Sequence, residues 1–166
     1  MSNTHQPSHH QLENGQIIPV FTLPGTDGMP HGPWDYKQRE HLILLFIRGI
    51  TTNEEREFLQ AFSKHYASFR EEMCAILLIT AAPVIVNLQR QEELHLPFPL
   101  LSDPKGEIIS RYTNWENTKK SLTPCIILAD RYGALYQQWI AENEAELPRI
   151  TQLLEVLQYL NTLCTP

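Results

Sequence analysis

The sequence predicts a single α/β domain, a three-layer sandwich in which helices cover both faces of a central mixed β-sheet. Three observations carry that prediction. Continuous apolar runs at residues 41–48 (HLILLFIR), 74–80 (CAILLIT) and 125–129 (CIILA) have the pattern of strands buried on both faces. Helical periodicity lies between the first two runs, where Phe58, Leu59, Phe62, Tyr66 and Phe69 fall on one stripe with charges opposite. The order strand, helix, strand, helix, hairpin, helix reads as a right-handed βαβ unit extended by an antiparallel pair.

The elements follow in chain order. Residues 1–14 read as a flexible polar tail, and residues 15–166 as the one domain. His5, His9 and His10 in the tail raise a metal site as an option; a plain polar leader is the favoured reading. Residues 17–23 are a short extended segment ended by the turn Pro24-Gly25-Thr26-Asp27-Gly28. After the strand at 41–48, one helix is expected over 53–72 and a short one over 83–94. Prolines exclude a helix from Leu96-Pro97-Phe98-Pro99-Leu100-Leu101. A short helix over 105–112 follows the turn Asp103-Pro104. After the third apolar run, Asp130-Arg131-Tyr132-Gly133 is a turn whose glycine suits a positive φ. Residues 134–140 return as an antiparallel strand. A final helix over 147–164 has Pro148 near its start and Ile150, Leu153, Leu154, Leu157 and Leu160 on its buried face. The strand at 41–48 should lie between the other two apolar strands.

Composition narrows the function classes. The 166 residues suit one core, and 42% apolar with 19% charged residues is the balance of a folded domain. A net charge of −6 without a run of Lys and Arg predicts neither a nucleic-acid partner nor an anionic membrane partner. The apolar runs are too short to span a bilayer, and the N-terminal residues lack the apolar stretch of a signal peptide, so a cytoplasmic protein is expected. The three cysteines, Cys74, Cys125 and Cys164, form no C-x-x-C pair and suggest no disulfide framework. Cys74 and Cys125 should open strands at opposite ends of the sheet, too far apart to bridge. No cofactor and no metal are indicated. Trp34, Trp115 and Trp139 are scattered in sequence and suit packing or an interface. A homodimer is the modest expectation for assembly, because symmetric dimers are the commonest oligomers. A small-molecule or protein partner is left undefined.

Local strings then point to one family. Residues 15–28 (GQIIPVFTLPGTDG) resemble the opening segment of peroxiredoxins. Residues 96–106 (LPFPLLSDPKG) are similar to their LPFPLLSDPDG segment. Residues 123–133 (TPCIILADRYG) resemble the Thr-Pro strand and turn of thioredoxin-like proteins. On these three strings, in this order, the chain resembles the alkyl hydroperoxide reductase/thiol-specific antioxidant group within the thioredoxin superfamily. The resemblance implies a thioredoxin-like sandwich, a cis Thr123–Pro124 bond facing the active site, and thiol antioxidant chemistry.

It also implies a cysteine just after the first core strand, at the head of the next helix. There the free amides and the helix dipole stabilise a thiolate, which attacks peroxides or disulfides. The family form F-x-R-G-x-W-C-P-x-C-R-x-E-L is matched here by FIRGITTNEEREF at residues 46–58. Arg48, Gly49 and Arg56 line up with it. The first cysteine position holds Thr52 and the second Glu55, and no cysteine lies between residues 1 and 73. A threonine hydroxyl is not ionised by a helix dipole worth about 0.3–1 kcal/mol.

Alternatives stand at each of these residues. Thr52-Asn53-Glu54-Glu55 reads first as a capping box, Thr-x-x-Glu, and second as part of a site where Thr52, Arg48 and free amides take a small polar or anionic ligand. Cys125, beside Pro124, reads first as a buried strand cysteine and second as a relocated redox thiol. Glu54, Glu55 and Glu57 suit the first turns of a helix before any acid–base role. Two functions follow: a binding or interaction protein on a redoxin scaffold with a degenerate thiol site, or a peroxiredoxin-type oxidoreductase using Cys125 or Cys164.

Overall fold

The structure is a computed structural model that describes residues 12–163. The tail histidines and Cys164 lie outside the described residues. A small antiparallel pair comes first, β1 (Leu23–Pro24) with β2 (Pro30–His31). Then follow β3 (His41–Phe46), α1 (Asn53–Lys64), α2 (Tyr66–Glu71), β4 (Cys74–Thr80) and α3 (Val84–Leu94). After β5 (Leu100–Ser102) come α4 (Ile109–Tyr112) and a short hairpin of β6 (Trp115–Glu116) and β7 (Ser121–Leu122). The chain closes with β8 (Cys125–Ala129), β9 (Leu135–Ile140) and α5 (Ile150–Leu163).

The main sheet has five strands in the order β5-β4-β3-β8-β9. β3 is therefore central and flanked by β4 and β8, as the apolar runs predict. β3, β4 and β5 are parallel, whereas β8 runs antiparallel to β3 and β9 antiparallel to β8. Period-two alternation along β3 divides the core in two. Ile43 and Leu45 face a cluster completed by Leu59 and Phe62 of α1, Phe69 of α2, and Leu153, Leu157 and Leu160 of α5. Leu42, Leu44 and Phe46 face a second cluster with Ile18, Phe21, Ile109, Tyr112 and Cys125.

Several elements depart from the sequence expectation, each for a local reason. The helix expected over 53–72 breaks at His65 (φ −102°, ψ 11°) into α1 and α2, and Phe62 and Phe69 stack across the break with centroids 5.6 Å apart. The helix expected over 105–112 is reduced to α4. Asp103 Oδ2 accepts the N–H groups of Ile108 and Ile109 at 2.9 and 2.8 Å, which holds the preceding residues as a turn. Gly106 belongs to that turn with φ +68°, and a Cβ there would meet the Trp115 indole at 2.0 Å. Helix α5 starts after Leu147, which is extended (φ −72°, ψ 157°) because the following Pro148 disfavours the helical region. At the other end, the Leu12 carbonyl accepts the Gln138 amide at 2.6 Å, so the last residues of the polar leader already lie against the sheet.

The Thr123–Pro124 bond corrects the sequence expectation: no peptide bond among the described residues is cis. The local pairing accounts for this. Thr123 N–H donates to Asn114 O at 3.0 Å, Thr123 O accepts from Thr113 Oγ1 at 2.8 Å, and Pro124 O accepts from Ala141 N–H at 3.1 Å. The segment thus runs extended into β8, where the intrinsically favoured trans form serves.

At the end of the sheet where β3 begins, His41 is fully buried. Its Nε2 donates to Asn161 Oδ1 at 2.7 Å, because the Asn161 amide nitrogen is committed to Glu72 O and Oε2 at 3.1 and 2.9 Å. His41 Nδ1 has no partner, and burial lowers the pKa of the ring below its ordinary 6.5. The neutral ring is thus the folded form. Stability should be complete above about pH 6.5 and fall as the pH drops toward the lowered folded value, since the unfolded chain binds the extra proton first. Urea midpoints compared at pH 7.5 and 5.5 should show this loss, and His41→Gln should flatten it.

Candidate functional site

The segment after β3 turns through Arg48 and Gly49 to the head of α1. Thr52 is the N-cap, in extended conformation (φ −91°, ψ 157°). Its Oγ1 accepts the Glu55 N–H at 3.1 Å, and Glu55 Oε1 accepts the Thr52 N–H at 3.0 Å. The capping box is therefore complete. Glu55 Oε1 takes three more donors: the Thr52 hydroxyl at 3.0 Å and the Thr51 N–H and hydroxyl at 3.3 Å each. Glu55 is buried, at 5% exposure. The amides of Thr51 and Thr52, at the entry to α1, thus hold the protein's own carboxylate.

Arg48 is exposed but anchored to backbone. Its Nε donates to Leu122 O at 3.1 Å and its Nη2 to Glu142 O at 2.6 Å. It stands between two clefts. The larger, about 480 Å³, is lined by Arg48, Thr51, Thr52, Glu54, Glu55 and Glu144, among others. The smaller, about 240 Å³, includes Arg48, Thr51, Thr80, Asn87, Arg90 and Lys120. The carboxylates dominate the first and the cations the second.

Of the residues singled out in sequence, Arg48, Thr52 and Glu55 converge at one cleft with Glu54. Pro124 and Cys125 do not line either cleft. Cys125 pairs with Phe46 at the same end of the sheet, but it packs in the cluster of Phe46 and Tyr112, on the face away from α1. It is fully buried, and burial pushes its thiol pKa up to about 12. Cys74, opposite His41 at the other end of β3, is also fully buried with its thiol pKa raised by desolvation. Both are free thiols, consistent with the expected absence of a bridge between them. Glu144 was not legible as a site residue. It lies in a 3-10 turn (Glu144–Glu146) that packs on α1 from nearly ninety residues away, and no local motif marks it.

A five-stranded mixed sheet with β3 central, helices on both sides and a helix head opening onto a cleft defines the thioredoxin-like class of α/β proteins. The AhpC/TSA family model matches residues 14–138, most of the chain, so the chain belongs to the AhpC/TSA family. Among solved structures, it is similar to the peroxidoxin BcpB of Mycobacterium tuberculosis, with a TM-score of 0.79 at 18% identity, over 91% of this chain and 99% of that one. It is similar also to the reduced 2-Cys peroxiredoxin of Plasmodium vivax, with a TM-score of 0.79 at 16% identity over 90% and 96% of the two chains. The mitochondrial 2-Cys peroxiredoxin of Plasmodium falciparum gives a TM-score of 0.77 at 16% identity over 90% and 94%. At these identities the likeness speaks for the fold. No curated protein sequence matches the chain. No helix among the described residues is long and apolar enough to cross a membrane.

Proposed function

We propose that this chain is a binding or interaction protein on a redoxin scaffold, working in the cytoplasm without thiol turnover. What supports the reading is the head of α1: no cysteine lies between residues 1 and 73, and in our alignment of residues 46–58 Thr52 and Glu55 fall where the family resemblance implies cysteines. Fold membership alone does not assign activity, so the reading rests on the residues at the site. Peroxide reduction needs an accessible thiolate in a positive field. Thr52 has a helix-head position and a hydroxyl that is engaged twice by Glu55. Cys125 has a thiol, but burial keeps it protonated at neutral pH. A homodimer is the assembly we propose, measurable by sedimentation.

The test is consumption of hydrogen peroxide by the full chain with a thiol reductant. The expected result is no turnover above the reductant alone. Rapid consumption that stops with Cys125→Ser or Cys164→Ser would establish the oxidoreductase alternative instead.

The same geometry makes a prediction for Thr52→Cys. The helix head lowers the pKa of an introduced thiol, whereas the Glu55 carboxylate beside it raises it. The thiol pKa, read by the ultraviolet absorbance of the thiolate, should therefore be lower in Thr52→Cys/Glu55→Gln than in Thr52→Cys alone. Equal values in the two backgrounds would show that Glu55 exerts no field on position 52.

A further inference from the structure

Three cations from three separate elements line the smaller cleft. Arg48 comes from the turn after β3, Arg90 from α3 and Lys120 from the loop of the β6–β7 hairpin. No carboxylate among the described residues lines it with them. The chain as a whole is acidic, with 13 Lys and Arg against 19 Asp and Glu, so the convergence runs against its average charge. A concave wall carrying one sign of charge focuses its field and concentrates counter-ions.

Neighbouring groups do little to neutralise it. Arg48 and Lys120 form no ion pair among the described residues. Arg48 is fixed instead by the carbonyls of Leu122 and Glu142, and Lys120 Nζ donates to the neutral Asn117 Oδ1 at 3.2 Å. Arg90 pairs with Glu93 at 3.2 Å, but that carboxylate is nearly half exposed and shared with Arg56 at 3.4 Å, a weak surface pairing. Glu55, near Gly49, has its Oε1 committed to Thr51 and Thr52. Backbone strain gives a second, independent mark. Lys120 stands in the left-handed region at φ +50°, where a residue with a Cβ is disfavoured and glycine fits best. The hairpin thus keeps a lysine where it costs stability, and that lysine lines the cleft. Beneath the cations the wall is rigid. Thr80 and Asn87 are buried, Thr80 Oγ1 donates to Asn87 Oδ1 at 2.9 Å, and Asn87 Nδ2 donates to Ser102 Oγ at 2.8 Å.

We propose that this cleft binds a small oxyanion, a carboxylate or phosphate group held by Arg48, Arg90 and Lys120. The volume of about 240 Å³ lies below that of drug-sized pockets and suits a ligand little larger than the anionic group itself. Guanidinium forks match the paired oxygens of a carboxylate or a phosphate, and a lysine adds a point charge.

This proposal rests on the binding-protein reading and names its ligand chemistry. Inorganic phosphate and succinate are the probes, titrated calorimetrically into the full chain against sodium chloride of equal ionic strength. The expected result is saturable binding at one site for at least one of them, and the one that binds assigns the anionic group. Arg90→Gln should weaken it about tenfold or more, the scale of a lost charge-assisted hydrogen bond. Thermal melting checks that this variant is folded. Lys120→Gly is the sharper variant. It should weaken binding and yet raise the urea midpoint, because glycine relieves the left-handed strain. Lys119→Gln, next in sequence but outside the cleft and paired with Glu116, should leave the affinity unchanged. Absence of saturable binding beyond chloride, or wild-type affinity in Arg90→Gln and Lys120→Gly, would overturn the proposal. So would an equal loss in Lys119→Gln, or a lowered urea midpoint in Lys120→Gly. Peroxide turnover by the wild type would instead overturn the underlying reading, whatever the anion affinity, so the two failures are distinguishable.

Discussion

Tyr112→Ala should destabilise the domain by about 3–5 kcal/mol, the range for truncating a large buried aromatic side chain. Tyr112 has no exposed surface. Its ring stacks on Phe46 with centroids 5.1 Å apart and meets the edge of Phe21 at 5.9 Å. Its hydroxyl donates to the Pro19 carbonyl, tying the N-terminal segment to α4 and the central strand. Three parts of the fold thus lose their common contact in one substitution. A urea titration should show the midpoint falling. Tyr112→Phe keeps the ring and removes one hydrogen bond, so it should cost about 0.5–1.5 kcal/mol. If the two variants were equally destabilised, the hydroxyl rather than the ring would be what holds these three parts together.

Glu55→Ala should cost about 2–3 kcal/mol, because it removes the N-terminal box of α1 and strips four donors of their acceptor at once. Those donors are the N–H and hydroxyl groups of Thr51 and Thr52, all on one carboxylate oxygen that is shielded from water. Glu55→Gln keeps an acceptor oxygen in the same place and should lose less than about 1 kcal/mol, since glutamine serves in capping boxes as glutamate does. Chemical denaturation gives the sizes. Amide hydrogen exchange at Thr51 and Thr52 gives the location, and it should accelerate in Glu55→Ala with little change in the central strands. Unchanged exchange at these amides would mean that the box does not hold the helix head.

The central sheet was legible because its strands are buried on both faces. A run such as CAILLIT has no polar side to compromise, so hydrophobicity alone marks it, and pairing with β3 follows from the βαβ order. The capping box was legible for a similar reason: its partners are three residues apart, and local geometry brings them together. Thr52, Glu55 and Arg48 lie close together because one turn after β3 carries all three.

What failed in the sequence reading depended on distant partners. The residues before α4 form a turn rather than a helix because Asp103 captures their amides and Trp115 packs over Gly106. The Thr123–Pro124 bond is trans because both flanking residues are bonded to strands and loops elsewhere in the chain. Cys125 is two residues from Thr123 in sequence and at the same end of the sheet as α1, yet the pleat turns its thiol to the other face, where desolvation suppresses its ionisation. By itself the sequence determined the fold class, the central strand and the absence of cysteine from the head of α1, since these depend on residue type and local period. Only the tertiary structure decided that Glu55 is buried on the amides of Thr51 and Thr52 and that Glu144 Oε1 is buried without a donor among the described residues. Both depend on which surfaces exclude water, and that exclusion exists only once segments nearly ninety residues apart have packed together.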